Sequence, residues 1–207
     1  MEISAQLVKQ LRDRTGAGMM ECKKALQETG GDIEKAVDYL RTRGIASADK
    51  KAARSTRQGV VSSYIHAGSQ LGVLIEVNCE SDFVARTDDF LELVHDLAMQ
   101  IAAADPMFIR KEDVTPEALN KEKEIQRARV LQEGKPEKMA DKIVEGRLNK
   151  FYEEICLYEQ PFIKENTTSV GDLIKSKIAK LGENISVSRF VRMKVGDAQP
   201  AEEQAAG

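Results

Sequence analysis

Glu80-Ser81-Asp82-Phe83 sets two carboxylates, a hydroxyl and an aromatic ring side by side, between an alternating apolar run and an amphipathic pattern. The stretch Asn78–Arg86 reads as a sharp strand-to-helix connection with a ring in its middle. A Phe in a polar connection either tucks into its own core or buries itself in another molecule, since burial of the ring is worth about 2–3 kcal/mol. No surrounding constellation asks for bond-making chemistry. The two His and three Cys form no recognisable nucleophile–base arrangement, and there is no Gly-x-Ser-x-Gly elbow. Neither Gly-x-Gly-x-x-Gly nor a Gly-x4-Gly-Lys-Ser/Thr loop is present, so direct nucleotide binding is not expected. No Cys-x-x-Cys pair exists and the His residues are far apart, which argues against zinc. Carboxylates are plentiful but lie mostly on charged helix faces. The expectation is a binding protein with no metal and no cofactor, rather than an enzyme.

Bulk properties narrow the class. The chain has 207 residues, room for one ordinary domain and a small one. It is 42% hydrophobic and 31% charged, with net charge -3 and a pI near 5.6. No global basic field points to nucleic acid. Cys22, Cys79 and Cys156, odd in number and unevenly spaced, fit reduced thiols. Met1-Glu2-Ile3-Ser4 opens no apolar signal core and no run is long enough to span a bilayer, so no membrane partner and a cytoplasmic location are expected.

The elements that must position the connection follow from periodicity. Residues 1–44 predict three short helices. Leu7, Val8 and Leu11 mark the first, which Thr15-Gly16 ends; Met19, Met20, Cys22, Ala25 and Leu26 mark the second, which Gly30-Gly31 ends. Asp32 is placed to cap a third, carrying Ile33, Ala36, Val37 and Leu40, with Gly44 as its C′ residue. Residues 45–58 read as a basic linker, with Lys50, Lys51, Arg54 and Arg57, either solvated or set against an acidic partner. A hairpin follows, its first strand alternating from Val60 to His66 and its second lining one face with Leu71, Val73, Ile75, Val77 and Cys79. Asp89 and Glu92 suggest a capping box for a helix bearing Phe90, Val94, Leu97 and Ile101, which Asp105-Pro106 stops.

Residues 115–156 change character. Thr115-Pro116 starts a highly charged helix with a thin line of Leu119, Ile125, Ala128 and Leu131. Gly134-Lys135-Pro136 turns it into a second helix with Met139, Ala140, Ile143, Val144, Leu148, Phe151, Tyr152 and Ile155. This predicts a projecting antiparallel helical hairpin whose second helix seeks cover either from another chain or from its own core. Ser169 and Asp172 are placed to cap a further helix, ended by Gly182. The last strand alternates through Ile185, Val187, Val191, Met193 and Val195, with Arg189 on the same face, so that Arg189 is either paired or open to solvent. The expected fold class is α+β: a three-helix module over 1–44, a linker over 45–58, and a core over 59–195. In the core a small antiparallel sheet carries packed helices and the inserted hairpin, and 196–207 form a disordered tail.

Two motifs then match a known family. Thr15-Gly16-Ala17-Gly18-Met19-Met20-Glu21-Cys22-Lys23-Lys24-Ala25-Leu26 and Glu80-Ser81-Asp82-Phe83-Val84-Ala85-Arg86 resemble the two signatures of translation elongation factor Ts. Val144-Glu145-Gly146-Arg147, Gln160-Pro161-Phe162 and Gly182-Glu183-Asn184-Ile185 agree with it, and the likeness reaches to about residue 195. Ser81 stands where Thr is usual, and this chain has one sheet module where longer members have two. The resemblance implies a ubiquitin-associated-type bundle and an α+β core with a helical hairpin. It also implies guanine-nucleotide exchange on elongation factor Tu, and a homodimer that supplies the missing surface.

The resemblance also implies residue roles. Ser81, Asp82, Phe83 and Val84 would dislodge magnesium from elongation factor Tu, with Phe83 as the wedge; from position alone Phe83 could equally anchor its own core, and Asp82 could be a turn residue. Met19, Met20 and Lys23 would grip the G domain, one Met exposed and one in the core, with Lys23 alternatively just solvated. His66 is a further possible contact, by likeness of Ser63-Tyr64-Ile65-His66 to a partner-contact strand. Exchange needs no covalent chemistry, only tighter binding to the nucleotide-free partner, by a ratio that GDP and the factor impose on each other equally. The competing expectations are a nucleic-acid-associated protein using the basic linker, and an adaptor that recognises ubiquitin-like partners through the helical module.

Overall fold

The computed structural model describes residues 3–197, so most of the expected tail lies outside the described residues. The elements run α1 (Ala5–Thr15), α2 (Met19–Glu28), α3 (Ile33–Lys51), β1 (Gln58–Ile65), β2 (Leu71–Cys79), α4 (Asp82–Ala85) and α5 (Asp88–Ala104). They continue with α6 (Pro116–Gln132), α7 (Glu137–Ile155), β3 (Pro161–Phe162), β4 (Glu165–Ser169), α8 (Val170–Leu181) and β5 (Ile185–Lys194). The chain is α+β, as read from sequence.

Helices α1 to α3 pack around Val8, Leu11, Cys22, Ala25, Leu26 and Ala36. Ser4 caps α1 by accepting from the Leu7 N–H, and Asp32 caps α3 by accepting from the Lys35 N–H. The expected stop at Gly44 does not occur. Helix α3 continues to Lys51, and a Cβ on Gly44 would stand 3.1 Å from the Ala179 Cβ of α8. Gly44 therefore serves close helix–helix approach rather than termination. Four residues on, Ala48 is buried in the main core, so half of the expected linker is helix bound to the sheet domain.

Strands β1, β2 and β5 form an antiparallel sheet in the order β1-β2-β5. Val73, Ile75, Val77 and Cys79 of β2 are buried with Phe90, Leu93, Leu97 and Ile101 of α5 and with Ile174 and Ile178 of α8. A register break explains the Arg189 puzzle. Val77 pairs with Val187 but Glu76 pairs with Arg189, leaving Ser188 unopposed. Beyond this bulge the alternation inverts. Phe190 and Arg192 turn inward, whereas Arg189, Val191 and Met193 face outward, against the expectation that one face runs from Ile185 to Val195. Arg189 is exposed and paired with Glu76 at 2.8 Å; the inward Arg192 reaches Asp105 at 3.2 Å.

The cap of α5 also differs from expectation. Thr87, not Asp89, accepts from the Phe90 N–H, because the short α4 leaves Thr87 extended at the entry. Asp89 instead receives Lys180 at 2.6 Å and Lys177 at 3.4 Å, tying α5 to α8. The hairpin α6–α7 forms as expected around Gly134-Lys135-Pro136, but its seam is Val130, Ala140, Val144 and Leu148; Ile125 and Leu131 are exposed. Arg147 closes on Glu133 across the seam at 2.7 Å. At the hairpin root Leu157 N–H donates to the Phe108 carbonyl and Tyr158 N–H to that of Ile109, fixing both ends of the insertion to the body.

The hydrogen bond from Lys180, aided by the charge of Lys177, holds the Asp89 carboxyl below its ordinary range. A depressed folded value stabilises the fold above the unfolded value of about 3.9, and that contribution is lost as pH falls through the folded value. Solvent screening keeps the effect to about 1 kcal/mol. Asp89→Asn should therefore lower the urea midpoint at pH 7, with the difference from the parent shrinking as pH falls below the unfolded value of about 3.9.

Candidate partner-binding site

The site begins where β2 ends. At Gly59 (φ 147°) β1 runs so close to β2 that a Cβ would fall 2.2 Å from the Val77 carbonyl oxygen, so only glycine fits there. Cys79 is buried, and its thiol donates to the Ser81 carbonyl at 3.1 Å; burial raises its pKa, as it does for Cys22 and for Cys156, which is pushed to about 11. None of the three thiols is a ready nucleophile at neutral pH.

Ser81 caps the single turn α4 by accepting from the Val84 N–H. The turn is amphipathic. Ala85 is buried and Val84 packs on the main core, while Asp82, Phe83 and Arg86 face out. Phe83 is 81% exposed, more than any other large apolar side chain among the described residues. The alternative of a ring tucked into its own core is thus not what the fold adopts. Asp82 is held by Arg86 at 3.1 Å.

One carboxylate braces this turn. Glu183 Oε2 accepts from the backbone N–H groups of Glu80 (3.1 Å) and Ser81 (2.9 Å), and its Oε1 accepts from the Ser81 hydroxyl (2.6 Å). In return the Asn184 N–H donates to Glu80 Oε1 at 2.7 Å. Asn184, buried, also donates its side-chain amide to the carbonyls of Ala52 and Arg54. Sequence reasoning missed these partners because they lie more than a hundred residues from the turn. The signals were the helix-ending Gly182, which the structure places left-handed at φ 82°, and the family likeness of Gly182-Glu183-Asn184-Ile185, which gave those residues no role.

Met19 (57% exposed) and Met20 (74%) are both on the surface at the start of α2, against the expectation that one is core. Cys22, Ala25 and Leu26 fill the bundle instead. Lys23 is exposed and forms no ion pair among the described residues. The α1–α2 turn and the Phe83 region share a neighbour. A Cβ on Gly16 would meet the Lys180 stem at 2.9 Å, and the same Lys180 binds Asp89, six residues past Phe83. His66 is elsewhere. It follows β1 at the hairpin end, about 27 Å along β2 from Cys79 at ~3.4 Å per residue, and shares a 2.9 Å hydrogen bond with Tyr64. Among the described residues no cluster of His, Cys, Asp and Glu could hold a metal ion.

The α+β body thus presents an exposed ring on a braced turn and two exposed methionines beside a neighbouring turn. Comparison with known proteins gives the particular class. The family described as Elongation factor TS matches residues 47–197. Elongation factor Ts of Solibacter usitatus is 72% identical over 198 residues, covering 96% of this chain and 93% of its own. That of Koribacter versatilis is 66% identical (95% and 90%), and that of Thermosipho melanesiensis 58% (94% and 100%). The chain belongs to the elongation factor Ts family, and is a guanine-nucleotide exchange factor for elongation factor Tu in translation elongation.

Because Phe83 buries little in its own chain, Phe83→Ala should leave stability within about 0.5 kcal/mol of the parent. Urea denaturation followed by circular dichroism checks this.

Proposed function

We propose that exchange is driven by the turn Ser81-Asp82-Phe83-Val84, which enters the nucleotide site of elongation factor Tu, disturbs the magnesium ion and so weakens GDP. The observation that carries this reading is the outward Phe83 ring on a turn whose other apolar residues are already buried. Burying that ring in the partner is worth about 2–3 kcal/mol, or roughly 30–150-fold in affinity. Linkage passes the part of it that is specific to the nucleotide-free state to GDP as weakened binding. Asp82 adds charge beside the ring, but it must first be released from Arg86. Met19, Met20 and Lys23 grip the G domain, with unbranched methionines suited to an adaptable contact. His66, at the far end of the sheet, makes a separate, second contact. No covalent chemistry is required, and the acidic pI of about 5.6 disfavours direct nucleic-acid binding. The helical module α1–α3 is of ubiquitin-associated type and serves as the partner-binding domain, working in the cytoplasm; no helix among the described residues is long and apolar enough to cross a membrane.

A second reading concerns assembly. One sheet face is covered by α5, but Val61, Ile65, Leu74, Val191 and Met193 form an exposed apolar surface across all three strands on the other. Such a face favours a partner, and a second copy offers the same face in a two-fold pair. The chain therefore works as a homodimer through this sheet.

Two experiments test these readings. Elongation factor Tu loaded with fluorescent GDP should release it rapidly with the parent chain, and Phe83→Ala should lose about 30–150-fold of the acceleration; equal rates remove Phe83 from the mechanism. If a fragment of residues 1–44 retained the whole activity, the adaptor reading would replace this one. For the dimer, Leu74→Glu should convert a two-chain species into a folded monomer in sedimentation equilibrium, whereas a monomeric parent overturns it.

A further inference from the structure

We infer that Glu183 is the positioning residue of exchange: its carboxylate holds the Phe83 turn in the projecting shape that the partner receives. The inference rests on the exchange role of Phe83 given above and adds what keeps the ring in place.

A four-residue helical turn cannot order itself, since closing one turn fixes several dihedrals for a single hydrogen bond. Phe83, 81% exposed, contributes little packing that would help. Order must therefore come from contacts beyond the ring: Val84 and Ala85 anchor the exit of the turn in the core, and Glu183 is the group that holds its entry at Glu80 and Ser81. Both of its oxygens are used. Oε2 gathers the consecutive N–H groups of Glu80 and Ser81, which would otherwise be left free as the chain leaves β2. Oε1 takes the single hydroxyl proton of Ser81, which leaves that oxygen free to accept from the Val84 N–H and cap the turn. Charge-assisted bonds of this kind are stronger than neutral ones.

The brace has a rigid footing. Gly182 ends α8, Asn184 is buried, and Asn184 fastens both to Glu80 and to the carbonyls of Ala52 and Arg54 just past α3. Arg54 lies 3.5 Å from the same Glu80 oxygen. The turn is thus referenced to α8, β5 and the end of the helical module at once. A ring delivered already ordered spares the ordering cost on binding; a loose ring would incur it at each encounter and collapse onto nearby apolar surface between encounters.

The test separates order from exchange. The chain contains no Trp, so Phe83→Trp installs a single Trp at the tip, and time-resolved anisotropy excited at the red edge, beyond Tyr absorption, reads its freedom without any partner. In that background Glu183→Ala should move most of the anisotropy decay from overall tumbling to fast local motion. Glu183→Gln, whose amide oxygen can take the two N–H groups while its NH2 donates to the Ser81 hydroxyl, should restore the slow decay. With native Phe83, Glu183→Ala should slow nucleotide release from elongation factor Tu about tenfold, a difference of ~1.4 kcal/mol, and Glu183→Gln should stay close to the parent. If Glu183→Ala does not fold, Glu183→Asp, which draws the charge back by one methylene, takes its place. A folded Ala or Asp variant with a ring as ordered as the parent's overturns the inference. A mobile ring with unaltered release also overturns the inference, because exchange would then not depend on the order that Glu183 imposes; the role of Phe83 itself is read separately from Phe83→Ala.

Discussion

The one-sided burial of β2 organises this molecule. Val73, Ile75, Val77 and Cys79 lie against Phe90, Leu93, Leu97 and Ile101 of α5, and this packing fixes the central strand, its two neighbours and the direction in which the chain leaves the sheet. The functional turn starts at the last buried residue of that strand. Val84 and Ala85 return to the same core on the far side of the ring. Phe83 is thus held between two anchored points only a few residues apart, and its outward direction follows from which neighbours are buried.

An exposed ring is an unfavourable surface in isolation, and the fold offsets it locally. Backbone groups at the turn are satisfied by Glu183 and the Ser81 hydroxyl, so the cost of projecting an aromatic is confined to the ring itself. In the proposed exchange role, the free energy released on burying it would be available for discrimination between states of the partner rather than for folding. Much the same holds for Met19 and Met20, which the bundle leaves outside because Cys22, Ala25 and Leu26 suffice as its core.

The helical module and the sheet domain are joined more firmly than a linker would allow. Gly44 lets α3 approach α8, Ala48 enters the main core, Asp49 pairs with Lys175 at 2.9 Å, and Asn184 holds the carbonyls that follow the helix. The proposed grip through α2 and wedge at Phe83 would consequently act from one frame. The hairpin differs: its small seam of Val130, Ala140, Val144 and Leu148 is its own, and only its root is pinned to the body.

Local chemistry was enough to read most elements. Ser169 caps α8 and Gly182 ends it, Thr115-Pro116 opens α6, and the alternation of β2 marks its buried face, because each of these depends on neighbours a few residues away. Where the reading failed, a distant partner had overridden a local preference. Gly44 does not stop α3 because Ala179 needs its missing side chain. Asp89 does not cap α5 because Thr87 stands extended at the entry and leaves Asp89 inside the first turn, where it binds Lys180, and the alternation of β5 inverts because the bulge at Ser188 is set by pairing with β2. Neighbouring residues alone mark Ser81-Asp82-Phe83-Val84 as a connection with a ring in it. Whether that ring points inward or outward, and that Glu183 is what braces it, was decided by tertiary structure alone, because hydrogen bonds across a hundred residues leave no periodicity in the chain.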